Sequence, residues 1–284
     1  MPIKYVLFDL GDTLWHFPAL PPTEIIRGET MRRISGLLAE WDVPFEGPMR
    51  FLGREIRLGI ERADRAAYES DCVSPDFVEV VRQIAGASGL ELDRDRAARL
   101  WDAWNLGGLM LGRTLYDDAI PTLDWLRERG VRFGCVTNRV FGGPRFFEEL
   151  QGLGLDGYFD AVAVSCDFGY MKPHPKIFEH VLDALGADPR ETAMVGDSLR
   201  ADVEASQALG MTAILRRVKK PDRKHDREET GDGPGGPSDA ATKPRAATRE
   251  ETGRALGDFG GGENATPDYE IWSLVELKAL PIFS

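Results

Sequence analysis

The sequence contains little cysteine and no long hydrophobic stretch. Its 284 residues include three cysteines, Cys72, Cys135 and Cys166, and their odd number and spacing fit neither a disulfide framework nor a zinc site. We therefore expect reduced, buried thiols. No run of about 18 apolar residues is present, and the chain starts directly with the apolar pattern of residues 5–10. The sequence thus predicts no signal peptide and no membrane span, and it indicates a cytoplasmic protein.

Basic residues are outnumbered by acidic ones. The chain has 35 Lys and Arg against 47 Asp and Glu, a formal net charge of −12. This balance argues against a general nucleic-acid binder and does not favour an anionic membrane surface. Lysine is especially scarce, because none occurs from Tyr5 to Met171, so Lys172 stands out. The hydrophobic content of 42% is enough for a substantial core and a second, smaller domain.

Five short, nearly continuous apolar runs predict strands that are covered on both faces. Helical patterns lie between them, and several of these end at a glycine. These patterns cover residues 120–129, 144–150, 175–185 and 201–209, and a further one near the end covers residues 274–280. Alternating strands and helices predict an α/β fold with a doubly wound parallel sheet, whose ligands bind beyond the carboxyl ends of the strands. The apolar runs are residues 5–10, 132–136, 161–164, 193–195 and 211–215.

Polar residues suited to phosphoryl chemistry lie at the ends of three of these predicted strands. Asp9, Thr137 and Asp197 all come at predicted strand ends. A single carboxylate at such a place is often only a helix cap. Three such placements, together with Lys172, favour a common site over coincidence.

Each residue type has a chemical role in that site. A carboxylate on a rigid strand end can attack phosphorus and form an aspartyl phosphate, and we assign this role to Asp9. Asp9 and Asp197 would repel each other and an anionic substrate unless a hard divalent cation such as Mg²⁺ held them together. Thr137 and Lys172 can bind phosphoryl oxygens, and Lys172 also offsets the charge of Asp9. Asp202 follows Asp197 at a spacing that brings the first turn of the next helix back toward the metal. We expect Asp202 mainly to contact the groups that bind the metal and not the metal itself.

Four segments resemble, in order, the four motifs of the haloacid dehalogenase (HAD) superfamily of hydrolases. Each motif alone is a weak signal, but all four occur in the expected strand and loop contexts. The matching segments are residues 9–14, Thr137 with Asn138, Lys172 with Pro173, and residues 196–202.

The resemblance covers residues 1–14, 113–215 and 267–284, which we assign to a catalytic core. It implies a Rossmann-like core, a Mg²⁺ cofactor, an aspartyl-enzyme intermediate and, most often, a phosphate monoester as substrate. Binding of the substrate by Thr137, Asn138 and Lys172 is implied in the same way. A phosphonatase-like reaction would need a lysine in the cap, and none occurs there, which excludes the usual form of that mechanism. A dehalogenase needs no metal, whereas the pair Asp197 and Asp202 indicates one, so the sequence argues against a dehalogenase.

One residue departs from the family pattern. The phosphatases usually carry an aspartate two residues after the nucleophile as general acid and base, whereas this chain has Gly11 there and Asp12 one position later. The backbone carbonyl of Gly11 can still bind the metal. Three possibilities stay open: Asp12 reaches the site by an altered loop path, water or substrate supplies the proton, or the protein is a weakly active or non-catalytic relative. Asp12 could equally be a solvent-facing turn residue.

Two long intervals interrupt the core pattern. Residues 15–112 show helical periodicity and resemble the family's α-helical cap, which closes over the site and selects the leaving group. Residues 216–266 begin with mixed charge and continue into a Gly/Pro-rich run with few large apolar residues, so we predict a disordered insertion. The sequence therefore predicts a Mg²⁺-dependent phosphatase for a small phosphorylated metabolite. The alternative is a HAD-fold protein that binds such a metabolite or a partner without efficient turnover, and the oligomeric state stays open.

Overall fold

The computed structural model describes residues 2–43, 49–218 and 265–284. Within these ranges six strands form a parallel sheet in the order β5-β4-β1-β6-β7-β8, and two short strands form an antiparallel pair, β2-β3. The strands are β1 (Tyr5–Phe8), β2 (Trp15–His16), β3 (Thr114–Leu115), β4 (Arg132–Thr137), β5 (Ala161–Val164), β6 (Thr192–Gly196), β7 (Thr212–Arg216) and β8 (Tyr269–Ile271).

Helices cover both faces of the large sheet, which explains the continuous apolar character of its strands. In β1, for example, three of the four residues are fully buried. The helices of the described ranges are α1 (Thr23–Glu40), α2 (Met49–Glu69), α3 (Phe77–Ala87), α4 (Arg94–Trp104), α5 (Ala119–Arg127), α6 (Gly143–Gly152), α7 (Ser165–Phe168), α8 (Pro175–Leu185) and α9 (Ala205–Ala208). The predicted α/β class with a doubly wound parallel sheet is confirmed.

Helices α1 to α4 form a separate layer between β2 and β3. Two of these helices begin at aspartate N-caps, Asp76 before α3 and Asp93 before α4, each of which accepts a hydrogen bond from a backbone N–H in the first turn. The layer has its own apolar cluster, which reaches the sheet domain at Val140. An α-helical cap inserted into the core is therefore present, while the limits 15–112 stay a prediction.

Two predicted helices take a different form. The pattern at 201–209 begins earlier, as a π-helix at Leu199–Glu204, and only then continues into α9. A Cβ atom at Gly196 would clash with the Asp202 carboxyl group, so this wide turn packs directly against the end of β6. The pattern at 274–280 is a 3₁₀-helix, Leu274–Ala279, that starts with a capping box.

The predicted insertion at 216–266 lies mostly outside the described residues. Strand β7 extends to Arg216, one residue into that segment, and β8 pairs with β7 in parallel after it. None of the helices in the described ranges is long and apolar enough to cross a membrane.

Candidate active site

The central strand β1 positions the site. The chain proceeds outward from β1 to β4 and β5 on one side, and then returns to the other side with β6. Such a switch point leaves a crevice at the carboxyl edge of the sheet. Asp9 follows β1, Thr137 ends β4 and Asp197 follows β6, so the three predicted residues meet at this edge. The Asp9 N–H donates to the carbonyl of Val195 at 2.9 Å, which fixes Asp9 to the neighbouring strand.

Lys172 connects two of the buried carboxylates. Its Nζ donates to Oδ1 of Asp9 at 2.7 Å and to Oδ1 of Asp202 at 2.6 Å. All three side chains are buried, with relative exposures of 2% for Lys172, 7% for Asp9 and 1% for Asp202. Buried charges at such short distances are stable only as a mutually compensating set. The structure thus brings together residues that are 163 positions apart in the sequence.

The electrostatics of this group follow from burial and charge. Burial raises the pKa of Asp9 to about 6; the Lys172 ammonium opposes this effect, and the Asp202 carboxylate reinforces it. For Lys172, burial favours the neutral amine, but the carboxylates of Asp202 and Asp9 outweigh it and raise its pKa. Lys172 therefore carries a proton throughout the physiological pH range.

Three carboxylates are close enough to share a cation. One oxygen each from Asp9, Asp197 and Asp202 lies within 4.8 Å of the others. Both oxygens of Asp202 already accept hydrogen bonds, Oδ1 from Lys172 and Oδ2 from the Ser198 N–H at 3.0 Å. An all-oxygen, anionic donor set fits a hard divalent ion such as Mg²⁺.

The Asn138 side chain hydrogen-bonds to the backbone of Lys172. Its side-chain Nδ2 donates to the Lys172 carbonyl at 2.8 Å, and its Oδ1 accepts from the Lys172 N–H at 2.7 Å. This amide therefore positions the lysine. The substrate-binding role that the family resemblance implies for Asn138 stays a prediction.

Gly11 and Asp12 lie on the turn after Asp9. Asp12 is exposed and has a left-handed backbone with φ of 51°, a conformation that aspartate tolerates better than most residues. The carboxylate group found among the described residues contains Asp9, Asp197 and Asp202 but not Asp12. The acid/base role of Asp12 and the metal contact of the Gly11 carbonyl stay predictions.

Sequence reasoning missed Arg216, which it placed at the start of the insertion. Arg216 is buried at the end of β7, donates from Nη1 to the carbonyls of Thr13 and Asp12, and stacks on the Tyr116 ring with Cζ 3.6 Å from its centroid. The Tyr116 ring also stacks on the His16 ring, with the two ring centroids 4.2 Å apart. Arg216 thus holds the turn after Asp9. The sequence did contain one signal for this residue, because Arg216 directly follows an apolar run that is predicted to be a strand.

A second missed group braces the loop after Thr137. Glu149 on α6 accepts a hydrogen bond from Arg139 at 2.9 Å. It also forms an ion pair with Arg113, whose Nη1 lies 2.5 Å from Oε1 of Glu149. The Arg113 guanidinium also lies 4.6 Å from the Trp15 ring centroid, at the junction of cap and core. Burial lowers the pKa of Arg113 to about 10, Arg139 adds to this effect, and Glu149 opposes it. These charges fix the junction of cap and core next to the site.

A parallel sheet with this carboxyl-edge cluster and an inserted helical cap defines a hydrolase fold. The family model for haloacid dehalogenase-like hydrolases matches residues 3–210. The chain therefore belongs to the haloacid dehalogenase-like hydrolases, as its four motifs predicted, and it is an enzyme of that hydrolase family.

Several of the similar proteins are named as phosphatases. The chain is 28% identical over 212 residues to a glyceraldehyde 3-phosphate phosphatase of Methanocaldococcus jannaschii, covering 75% of this chain and 84% of that protein. It is 39% identical over 108 residues to a protein of the same name from Methanopyrus kandleri, but this match spans only 46% of that protein and 38% of this chain. A crystal structure of a HAD phosphatase from Thermococcus onnurineus superposes with a TM-score of 0.51 at 25% identity, covering 98% of this chain and 97% of that one.

Proposed function

We propose that the protein is a Mg²⁺-dependent phosphatase that cleaves a small phosphate monoester through an aspartyl phosphate on Asp9. The observation that carries this proposal is the Asp9–Lys172–Asp202 arrangement beside Asp197 at the carboxyl edge of the sheet. The phosphatase names of the similar proteins support it. The net charge of −12 argues against nucleic acid or an anionic membrane as a partner. The substrate that we expect is a small phosphorylated metabolite, and the expected location is the cytoplasm.

In the first half of the reaction, a carboxylate oxygen of Asp9 attacks phosphorus. The bond between phosphorus and the leaving oxygen breaks, and the leaving oxygen takes up a proton. Lys172 keeps Asp9 anionic and oriented, because it donates to Oδ1 of Asp9 while Asp202 anchors its other side. Thr137, buried at the end of β4, and the Lys172 ammonium bind phosphoryl oxygens and stabilise their charge.

In the second half, water attacks the phosphorus of the aspartyl phosphate, and phosphate leaves with regeneration of Asp9. A Mg²⁺ ion held by Asp9, Asp197 and the Gly11 carbonyl, with Asp202 behind them, would neutralise phosphate charge when bound. The cap excludes bulk water during both halves.

A second candidate function depends on whether the protein can transfer a proton to the leaving group. Asp12 is exposed, and Gly11 stands where the family has its acid and base. These two observations favour the alternative of a weakly active or non-catalytic protein that binds a phosphorylated metabolite or partner.

Turnover of p-nitrophenyl phosphate by the purified protein, with and without Mg²⁺, tests the proposal. We expect Mg²⁺-dependent hydrolysis that Asp9→Asn abolishes, with an unchanged circular dichroism spectrum. Beryllofluoride, a phosphoryl mimic, should bind the wild type only with Mg²⁺. Retained hydrolysis in Asp9→Asn would refute the nucleophile, and ligand binding without any turnover would favour the binding protein.

A further inference from the structure

Helix α2 of the cap carries a buried row with one residue at every fourth position. The row consists of Leu52, Ile56, Ile60, Asp64 and Tyr68, each with a relative exposure of 2% or less. Residues at this spacing share one face of a helix. Asp64 is the charged member of an otherwise apolar and aromatic row.

The neighbours of this row place Asp64 above the carboxyl edge of the sheet. One turn before it, Ile60 belongs to the apolar cluster that includes Val140, three residues after Thr137. One turn after it, Tyr68 packs with Met171 and Ala201, which directly precede Lys172 and Asp202. Asp64 therefore lies on the helix face that, one turn further on, packs against the residues preceding Lys172 and Asp202.

Within the described residues Asp64 lacks a compensating partner. Its Oδ2 atom is buried and has no hydrogen-bond donor there. The guanidinium of Arg200 contacts Tyr68, one turn further along α2, where its Cζ lies 4.4 Å from the Tyr68 ring centroid and its Nη2 donates to the Tyr68 carbonyl at 3.1 Å. Burial raises the pKa of Asp64 to about 7. Burial of a carboxylate without a partner costs free energy of folding. The presence of such a group therefore points to a ligand that supplies the missing partner.

We propose that Asp64 is a specificity-determining residue that binds an ammonium group on the leaving group of the substrate. This inference rests on the proposed phosphatase function. The Asp64 carboxylate would select substrates with a cationic leaving group, because a cation restores the charge balance of a desolvated carboxylate more completely than a neutral hydroxyl does. The phosphoryl group would occupy the site around Asp9 and Lys172 while the ammonium end reaches α2.

The test compares substrates that differ only at their far end. Aminoalkyl phosphates with chains of two to six carbons are assayed beside alkyl and hydroxyalkyl phosphates of the same length. For the best chain length we expect kcat/KM of the wild type to favour the ammonium compound over the alkyl compound about tenfold. This preference should vanish in Asp64→Asn and Asp64→Leu, mainly through KM. Glu69→Gln, on the same helix but exposed, should keep it.

Binding provides a readout that needs no turnover. Calorimetry with aminoalkyl and alkyl phosphonates, which are not hydrolysed, should show the same preference in the wild type and its loss in Asp64→Asn. Equal binding of both phosphonates by the wild type, or a preference retained in Asp64→Asn and Asp64→Leu, would overturn the proposal, as would a stronger preference for the hydroxyalkyl series. If no phosphate ester is hydrolysed, the phosphatase function fails, and the phosphonate measurement still decides the role of Asp64.

Discussion

Asn138 and Lys172 form a reciprocal pair in which each end of the asparagine amide meets the lysine backbone, at 2.8 and 2.7 Å. This pair joins the loop after β4 to the loop that carries Lys172. Because the lysine side chain then donates to Asp9 and Asp202, the orientation of the ammonium depends on a residue whose side-chain hydrogen bonds go to the lysine backbone.

The first prediction concerns this pair. Asn138→Ala removes both hydrogen bonds and should lower kcat roughly 10–100-fold with little change in KM, since a net loss of about 1–3 kcal/mol in positioning is expected. Steady-state kinetics measure the effect. Asn105→Ala, which removes the single side-chain hydrogen bond to the Gly107 N–H, is the control and should leave kcat near the wild-type value. A rise in KM alone would instead show that Asn138 binds substrate.

The second prediction concerns the metal. Asp197→Asn should weaken Mg²⁺ binding more than Asp202→Asn, because both oxygens of Asp202 are occupied by Lys172 and Ser198. For Asp202→Asn we expect a loss of roughly 10–100-fold in affinity. Isothermal titration calorimetry measures both, and Asp183→Asn, exposed on α8, is the control. A larger loss in Asp202→Asn than in Asp197→Asn would reverse the assignment.

The third prediction concerns Gly11 and Asp12. A Cβ atom at Gly11 meets nothing within 4 Å, and a glycine at position 12 would relieve the left-handed backbone of Asp12. The double change Gly11→Asp with Asp12→Gly should therefore fold normally. If proton transfer is the missing function, the wild type should prefer aryl over alkyl phosphates, and the swap should raise alkyl phosphatase activity by roughly 10²-fold or more.

The single variant Asp12→Ala is the matched control for that swap. If Asp12 already serves as acid and base, Asp12→Ala should reduce hydrolysis of alkyl phosphates most, and the swap should give little gain. An unchanged ratio of aryl to alkyl activity in both variants would exclude proton transfer by either position.

The fourth prediction concerns the stability of the buried Asp64. Its folded pKa of about 7 lies above the ordinary value of 3.8, so ionisation favours the unfolded chain, and the cost grows from pH 4 upward until it levels off above pH 7. At its upper limit this cost is roughly 4 kcal/mol. Asp64→Asn should therefore be more stable than the wild type at pH 8, by about 1–3 kcal/mol, and equally stable near pH 4. Urea unfolding at several pH values measures the difference, and a constant difference across that range would contradict it.

Much of the architecture was determined by local sequence. Apolar runs separated by helical patterns are sufficient to predict a parallel sheet, because strands buried on both faces must be apolar throughout. The same logic placed Asp9, Thr137 and Asp197 at one edge, since the carboxyl ends of parallel strands coincide. The four motifs then predicted the family and the participation of Lys172.

Only the tertiary structure decided which side chains form hydrogen bonds and ion pairs with distant parts of the chain. The sequence could not show that Asn138 binds the Lys172 backbone or that Arg216 holds the turn at Asp12, because these contacts join segments 34 and 204 residues apart. Periodicity predicted a helix at α2, but a buried row looks the same whether its neighbours are apolar side chains or a ligand. The unpartnered carboxylate of Asp64 emerged only when the cap was placed over the sheet, since burial and pairing depend on the residues of other elements.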